Sequence, residues 1–424
     1  MTKRTDKRLG TQEERTEGSE LARLVTPLVD GLTATRENLL GWVHACGVAA
    51  LDAVFRDQAE AVAGPKGKQQ VGRTHHHWGT TPTELTLGGR RIQVRRPRVR
   101  GREGREVTLP AVAAFRGRDP LTARVLEQIL LGVSTRGYAA SLEAGPVGVP
   151  SRGTSRSAVS RTLIWRTRQQ VATQLSRRLD GLDLVALFGD GVVVAGQTVI
   201  VVLGITRDGR KEPLGVSVGS TENAAICTQL FQDLLARGLP VEGRLLCVID
   251  GGKGLRRALQ DVFGDVAVIQ RCQVHKRRNL QALLPPGRQA YVLAALSRAY
   301  RAASAAAARR HLRRLGAWLE QNGHDAAAAS LREGLEETLT VLTLGLPPRL
   351  RRFFATTNAI ENLIGTLRHV ARNVKRWRDG TMIRRWIGLG MLRAATRFRR
   401  IKGPDDLAAL ATALRPAAAG ERAA

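Results

Sequence analysis

The segment from residue 183 to residue 272 constrains the fold more than any other part of the chain. Three strand-like runs, DLVALFGDGVVV, QTVIVVLGIT and EPLGVSVGST, are separated by turn residues, and this pattern predicts an antiparallel meander. The residues that follow predict a helix at 222–237, a buried strand at 244–250, a helix at 254–263 and a strand at 266–272. This part of the chain is therefore expected to form an α/β unit.

The order of these elements predicts which strands are neighbours. Three antiparallel strands followed by helix, strand, helix and strand is the order of an RNase H-like α/β fold, in which the first and fourth strands are adjacent. Asp190 interrupts the first of these strands and Asp250 ends the fourth, and a glycine follows each acid. A buried carboxylate without a partner is costly, so such acids usually hold an ion, pair with a cation or have a raised pKa.

Side by side, Asp190 and Asp250 would lie about 4–6 Å apart, where carboxylates repel each other unless a divalent cation lies between them. Mg²⁺ prefers such oxygen ligands. The alternative is that both acids cap turns at the ends of strands.

A third acid, Glu361, lies in TTNAIENLIGTLRHVARNVKRW, which begins at residue 356. Thr-Thr-Asn is a good helix N-terminus, and we expect a helix over about 357–376. Steps of three and four residues put Glu361 on one helical face with Arg368 and Arg372. The alternative is a first-turn glutamate favoured by the helix dipole.

Charge indicates the kind of partner. Lysine and arginine number 67 against 37 acids, which gives a formal net charge of +30. A folded chain with this balance is expected to bind a polyanion, either nucleic acid or anionic membrane; the alternative is an arginine content raised by GC-rich coding.

The most apolar stretch, 182–205, contains Asp183, Asp190 and Gln197, which argues against a membrane span. The N-terminus has no apolar signal segment and the four cysteines lack the spacing of a disulfide framework, so we expect a cytoplasmic protein.

Composition and pattern divide the chain into seven regions. They are a disordered tail at 1–20, a helical and β-hairpin region at 21–118, a helix-turn-helix-like DNA-binding region at 119–180, a first part of the core at 181–275, an all-helical insertion at 276–346, a C-terminal core helix with a basic tail at 347–402 and a C-terminal tail at 403–424. For the third region, a plain helical linker is the alternative, because its predicted turn is longer than that of a typical helix-turn-helix.

Two parts of the first half have unusual composition. Residues 64–80 predict a glycine-rich basic loop, in which the run His75, His76 and His77 is expected to be solvated, since three consecutive residues converge poorly on one metal ion. Residues 83–99 alternate around a Gly-Gly turn and predict an arginine-rich hairpin.

The predicted basic tail also carries aromatic residues. Positions 368–400 hold eleven Arg or Lys and one Asp, with Trp377 and Trp386 between them. The cations would neutralise phosphates, and an indole could stack on an unpaired base. The alternative is that both tryptophans belong to the helical core.

Seven motifs, taken together, resemble those of a known family. They are GVSTRGY at 132–138, SRSAVSR at 155–161, Asp-Gly at 190–191, GITRDGRKEPLGVSVGSTEN at 204–223, VIDGGKGLRRALQDVF at 248–263, QRCQVHKRRNL at 270–280 and TTNAIENL at 356–363. In this order they are similar to the bacterial Mutator-type transposases, the insertion-sequence-256 family, over most of the chain. The resemblance implies a DDE transposase with an α/β RNase H-like catalytic core and an all-α insertion, preceded by a mainly helical N-terminal DNA-binding region.

The resemblance also implies roles for individual residues. The family's acidic triad falls on Asp190, Asp250 and Glu361, as catalytic residues and as ligands of two Mg²⁺ ions, for which Mn²⁺ can substitute. Cys272 and His275 match its Cys-x-x-His motif and are implied to shape the active site; a structural Cys/His pair is the alternative. A zinc site is not expected there, because a single pair does not complete a tetrahedral site.

The implied reaction is cleavage at the terminal inverted repeats of an insertion sequence, followed by strand transfer into target DNA by a homodimer. The alternatives are a non-catalytic, domesticated DNA-binding protein and a metal-dependent RNase H-like nuclease. One departure from the family pattern is Gly189 before the first acid, and we expect it to loosen that strand. The residues expected to contact DNA are Arg95, Arg96, Arg98, Arg156, Arg161, Lys276, Arg277, Arg278, Asn358, Arg368, Arg372, Lys375 and Arg376.

Overall fold

The structure, a computed structural model, describes residues 39–68, 72–87, 89–115, 122–131, 133–142, 149–220, 223–241, 243–372, 374–401 and 403–415. The chain divides into two compact units, Met1–Arg166 and Thr167–Ala424. The predicted tail at 1–20, the helical pattern before residue 39 and residues 416–424 lie outside the described part.

The first unit combines helices with a four-stranded sheet. Its elements are α1 (Leu39–Ala63), β1 (His75–Leu87), β2 (Arg90–Gly101), β3 (Glu106–Val107), α2 (Pro110–Phe115), α3 (Thr122–Leu131), a 3-10 turn (Ala139–Ser141), β4 (Ser151–Gly153) and the beginning of α4 (Arg156–Ser176). β1 pairs antiparallel with β2, and β3 and β4 both pair with β2. Phe55 of α1 packs in one core with Leu85, Ile92 and Val99 of the hairpin.

The predicted arginine-rich hairpin is confirmed, but it is longer than its sequence pattern indicated. The predicted basic loop is wrong at its C-terminal end, because His75, His76 and His77 lie in β1 opposite the end of β2. Strand alternation turns His76 to the face opposite that of its two neighbours. The ladder then shifts register between His77 and Thr80, where Gly79 has a φ of 73°.

The described residues between α3 and α4 do not form the short turn of a helix-turn-helix. Within the described residues, the connection contains the 3-10 turn and β4, whose Ser151 pairs with Ile92 of β2. The strand β4 therefore connects the beginning of α4 to the hairpin sheet. A DNA-binding role for this region stays a prediction.

The second unit is built on a five-stranded sheet. Its elements after α4 are β5 (Leu184–Val194), β6 (Gln197–Thr206), β7 (Lys211–Gly219), α5 (Ala224–Ala236), β8 (Leu245–Ile249), α6 (Lys253–Phe263), β9 (Ala267–Arg271), α7 (Gln273–Ala282), α8 (Pro286–Tyr300), α9 (Ala305–Gln321), α10 (Asp325–Arg332), α11 (Leu335–Thr338), α12 (Thr340–Thr343), α13 (Pro348–Phe354), α14 (Asn358–Ala371), α15 (Gly380–Ala395) and α16 (Leu407–Ala413). The strand order is β7-β6-β5-β8-β9.

The meander and the adjacency of the first and fourth strands are confirmed. β5, β6 and β7 pair antiparallel, whereas β8 is parallel to both β5 and β9. Helices cover both faces: Leu187 packs with α5 and α6, and its neighbour Phe188 packs with α13 and α14. The chain thus has the mixed α/β architecture that the sequence predicted.

Gly189 does not loosen β5, contrary to expectation. It is paired with Val202 of β6 and Ile249 of β8. A Cβ atom there would lie 3.3 Å from Leu255 of α6, so glycine allows this helix to pack closely on the strand.

The segment from α7 to α12 is helical, as predicted, and has its own apolar core around Leu296, Leu312 and Leu331. Among the described residues, every helix is too short or too polar to cross a bilayer.

The C-terminal part is more ordered than predicted. α14 ends at Ala371 rather than near residue 376, and the basic stretch after it forms α15, which Asp379 caps by accepting a hydrogen bond from Met382 N at 2.7 Å. Trp386 is only 8% exposed, so the core alternative holds for this tryptophan. Leu407 and Leu410 of α16 are buried in the same core, so the predicted tail does not begin at residue 403.

Candidate active site

Asp190 and Asp250 lie at the same level on neighbouring strands. The parallel register of β5 and β8 aligns Gly189 with Ile249; Asp190 is the next residue of β5, and Asp250 directly follows the end of β8. Asp190 is 5% exposed and accepts a hydrogen bond from the backbone N–H of Gly191 at 2.9 Å. Asp250 accepts one from Gly252 N at 2.8 Å.

The electrostatics of Asp190 show which charged groups surround it. Burial raises the pKa of its carboxyl to about 7, and the nearby Asp250 carboxylate adds to this shift. Glu361 raises the pKa further, whereas His275 opposes the shift. A carboxyl with this pKa is the expected result of placing acids together in a buried site.

Glu361 lies in the first turn of α14 and is half-buried. Its Oε1 accepts a hydrogen bond from the hydroxyl of Thr357 at 3.0 Å. Thr357 is fully buried, and its Oγ1 also lies 3.3 Å from Nδ1 of His275. Sγ of Cys272 lies 3.4 Å from the same hydroxyl, which has one proton and two lone pairs. We assign the proton to Glu361, whose carboxylate oxygen is the closer acceptor, and the acceptor role to the contact with His275.

Cys272 and His275 join this network from the beginning of α7. The buried Sγ of Cys272 accepts from the backbone N–H of His275 at 3.5 Å and of Thr357 at 3.4 Å. Burial alone would raise the pKa of the Cys272 thiol, but hydrogen bonds from His275 and Thr357 outweigh it and lower the pKa. The hydrogen bond with Cys272 is the main cause that raises the pKa of His275, and burial opposes it.

Backbone hydrogen bonds also hold together the chain segments around these side chains. Cys272 N donates to Ile249 O at 2.7 Å, and Gln273 N donates to Ala355 O at 2.9 Å. These bonds join the end of β8, the beginning of α7 and the segment before α14, which lie next to Asp250, Cys272 and Glu361 respectively. Thr357 is a site residue that the sequence does not identify: it belongs to the motif TTNAIENL, but Thr-Thr-Asn by itself predicts only a helix N-terminus.

Arg271 packs against the turn that follows Asp250. Gly251 has a φ of 103°, and a Cβ atom there would overlap the Arg271 guanidinium. Nη1 of Arg271 donates to Glu333 O at 3.2 Å, beside Gly334 at the beginning of α11. The turn after Asp250 is therefore held against the helical insertion.

The oxygen atoms at this site are of the type that binds a hard cation. Asp190 and Asp250 supply carboxylate oxygens, which Mg²⁺ prefers, and a divalent cation would relieve their mutual repulsion. In the part of the chain that the structure describes, the predicted acids are not drawn together tightly enough to form a group of three metal-binding side chains.

The residues expected to contact DNA fall into two sets. In the second unit, all but one are exposed; these are Arg277, Arg278, Asn358, Arg368, Arg372, Lys375 and Arg376. In the first unit, Arg95, Arg156 and Arg161 are exposed, whereas Arg96 and Arg98 are half-buried.

Lys276 is the exception, and its prediction as a DNA contact is wrong. Its side chain is fully buried, and Nζ donates to the backbone oxygens of Ser330 at 2.5 Å and Glu333 at 2.6 Å. Burial lowers the pKa of Lys276 to about 8. The ammonium group holds the C-terminal end of α10 and is not available to a phosphate.

Comparisons with known proteins show which family this chain is similar to. A model of the family described as "Transposase, Mutator family" matches residues 41–400. The transposase for insertion sequence element IST2 of Acidithiobacillus ferrooxidans is 34% identical over 42% of this chain and 58% of its own length. The transposase for element IS256 in transposon Tn4001 of Staphylococcus aureus is 28% identical over 64% of this chain and 70% of its own length. The transposase for element ISRM3 of Rhizobium meliloti is 32% identical over 42% of this chain and 44% of its own length.

Proposed function

Because the chain belongs to the Mutator family of transposases, we propose that it is a DDE-type DNA transposase that cleaves and joins DNA phosphodiesters. Asp190, Asp250 and Glu361 are the proposed catalytic acids. The observation that carries this proposal is the in-register placement of Asp190 beside Asp250, together with the influence of Glu361 on the Asp190 carboxyl.

The strand order supports an RNase H-like catalytic core. Three antiparallel strands are followed by two parallel ones, with α5 and α6 as the connections, and α14, which carries the third proposed acid, packs in one core with Phe188 of β5. The helices from α7 to α12 lie between the second and third acids in sequence, which supports an all-helical insertion.

The three acids would hold two Mg²⁺ ions, or Mn²⁺ in their place. When bound, such a pair supplies a water activated for in-line attack and stabilises the leaving oxygen. The chain's own contribution is position: backbone N–H groups of Gly191 and Gly252 fix the two aspartates, and the Thr357 hydroxyl orients Glu361. The hydrogen bond with Cys272 raises the pKa of His275, and Asp190 and Asp250 add to this shift, which supports an active-site role for Cys272 and His275.

The proposed substrates are double-stranded DNA ends, namely the terminal inverted repeats of the element, and target DNA. Exposed cations on α7 and α14 would neutralise phosphates near the acids, and Arg277, Arg278 and Arg368 are the leading candidates. A homodimer on DNA, acting at the nucleoid in the cytoplasm, completes the proposal.

The test is cleavage of a labelled DNA fragment that carries the end of the element, with Mg²⁺ and the full chain. We expect Asp190→Asn, Asp250→Asn and Glu361→Gln each to reduce the cleavage rate at least about 100-fold. Asp261→Asn is the matched control, since Asp261 is a solvent-exposed acid on α6 that pairs with Arg257. Full activity in any of the three variants would contradict the assignment.

Product analysis separates the proposal from its alternatives. Joining of a donor 3′ end to target DNA supports a transposase, whereas cleavage without joining supports a nuclease. Tight binding of the ends without either reaction supports a non-catalytic DNA-binding protein.

A further inference from the structure

The hairpin of the first unit exposes the indole ring of a tryptophan that no sequence pattern singles out. Trp78 of β1 is 54% exposed and lies at the register shift between His77 and Thr80. Large apolar side chains on a soluble protein are usually more covered than this, and Trp is a side chain that dominates recognition surfaces.

One face of this indole is already in contact with a cation. The guanidinium of Arg100 on β2 lies 4.7 Å from the centre of the Trp78 ring, which is cation–π geometry. The arginine orients the ring and covers one face of it. More than half of the Trp78 surface remains exposed, which leaves room for a flat partner such as a nucleobase.

More arginines continue from this pair along β2. Pro97 and Val99 are buried, so Arg96, Arg98 and Arg100 alternate with them and lie on the strand face opposite the core. We call the surface formed by Trp78, Arg96, Arg98 and Arg100 the Trp78 face.

Two of the arginines of the Trp78 face form ion pairs with a carboxylate of the same sheet. Glu106 of β3 stands opposite Arg100 in the ladder and forms ion pairs with Arg96 at 2.8 Å and Arg98 at 2.9 Å. The Arg98 hydrogen bond is the main cause that lowers the pKa of Glu106, and burial opposes it. Two arginines share one acid, so the cluster keeps a net positive charge, and a phosphate oxygen has the geometry to replace the carboxylate.

We propose that the Trp78 face binds DNA by stacking an unpaired base on the open side of Trp78 while Arg96 and Arg98 exchange Glu106 for backbone phosphate. The inference rests on the proposed function only in taking DNA as the partner, and it assigns a specific substrate feature, an unstacked nucleotide. An indole beside arginines is the combination that stacks a base and neutralises its phosphate, and a paired base keeps both of its faces within the duplex stack.

The test is equilibrium binding by fluorescence anisotropy in EDTA, where cleavage does not contribute. The full chain is titrated into three labelled probes of equal length: a single strand, a matched duplex and a duplex with one bulged base. We expect Trp78→Ala to weaken binding to the single strand and to the bulged duplex by about 5- to 150-fold and to leave the matched duplex little changed. Trp78→Phe, which keeps an aromatic face, should retain most of the affinity.

A variant that should bind DNA more tightly tests whether Arg96 and Arg98 exchange the Glu106 carboxylate for a phosphate. Glu106→Gln should tighten binding to the single strand and steepen its salt dependence, because Arg96 and Arg98 no longer have an internal carboxylate. Tyr291→Ala is the matched control, since Tyr291 on α8 is also 54% exposed, and it should leave all three affinities unchanged. Melting curves confirm that each variant is folded.

Two results would overturn the proposal. One is unchanged affinity of Trp78→Ala for the single strand and the bulged duplex, or an equal loss on the matched duplex. The other is a Glu106→Gln variant that binds no more tightly than the unaltered chain. Either result leaves the catalytic proposal intact, because that proposal is tested by cleavage with the three acid variants.

Discussion

Thr357 donates its hydroxyl proton to Glu361 across 3.0 Å, one helical turn apart at the beginning of α14. The same oxygen lies 3.3 Å from Nδ1 of His275, and the Thr357 amide lies 3.4 Å from Sγ of Cys272. A single buried threonine thus connects the third acid to the Cys-x-x-His pair. Through this residue, the position of Glu361 depends on a part of the chain more than eighty residues earlier.

Replacing this hydroxyl should reduce activity more than stability. Thr357→Val keeps the shape of the side chain but removes the hydrogen bond to a carboxylate, and we expect the cleavage rate to fall about 10- to 100-fold. Thr357→Ser should retain most of the activity. The measurement is single-turnover cleavage, with Thr356→Val as the neighbouring control; equal rates for Thr357→Val and the unaltered chain would show that the hydroxyl has no positioning role.

The turn after Asp250 should tolerate no side chain. Gly251→Ala introduces a residue at a φ of 103° and forces its Cβ into Arg271, so we expect the free energy of unfolding to fall by about 2 kcal/mol or more. Gly323→Ala is the control: Gly323 has a φ of 73°, and nothing lies within 4 Å of an added Cβ, so backbone strain alone should cost about 1 kcal/mol. Urea unfolding measures both, and an equal loss would contradict the proposed overlap with Arg271.

The buried Lys276 should make stability depend on pH. Its pKa is lowered by burial to about 8 from 10.5, with Arg271 acting in the same direction and Glu333 and Glu337 opposing it. Between these values the folded chain binds fewer protons at this residue than the unfolded chain, so its contribution to the free energy of unfolding rises with pH. Below pH 8 the contribution is constant.

Lys276→Met removes this dependence. The unaltered chain should gain stability relative to the variant as the pH increases from about 8 to about 10, measured by urea unfolding at several pH values. Lys253→Met, which removes an exposed lysine of α6, controls for the loss of charge. A difference that stays constant or shrinks over this range would show that the Lys276 ammonium is not destabilised by burial.

Local pattern predicted much of the second unit because its strands are apolar runs bounded by turns. Asp190 and Asp250 stood out as acids within such runs, and the order of strands was enough to make them neighbours. Thr357 and Arg271 could not be found in this way, because their roles come from contacts with residues more than sixty positions away.

Two predictions were wrong because the structure of those residues depends on contacts that are distant in sequence. His75, His76 and His77 carry no alternation of apolar and polar residues, so their strand is visible only through its pairing with β2. Lys276 follows a helix start and precedes two arginines, a context typical of a solvated basic patch. Its burial depends on the carbonyl groups at the end of α10, which sequence pattern does not place beside it.

The central claim is that Asp190, Asp250 and Glu361 act as one site, and a double-variant comparison tests it most directly. The measurement is the single-turnover rate of DNA cleavage in Mg²⁺ for Asp190→Asn, Glu361→Gln and the variant that combines them. Residues that act as a unit are strongly non-additive, so the combined variant should be no slower than the slower single variant. Single losses that multiply in the combined variant, or either single variant cleaving at the full rate, would contradict the claim.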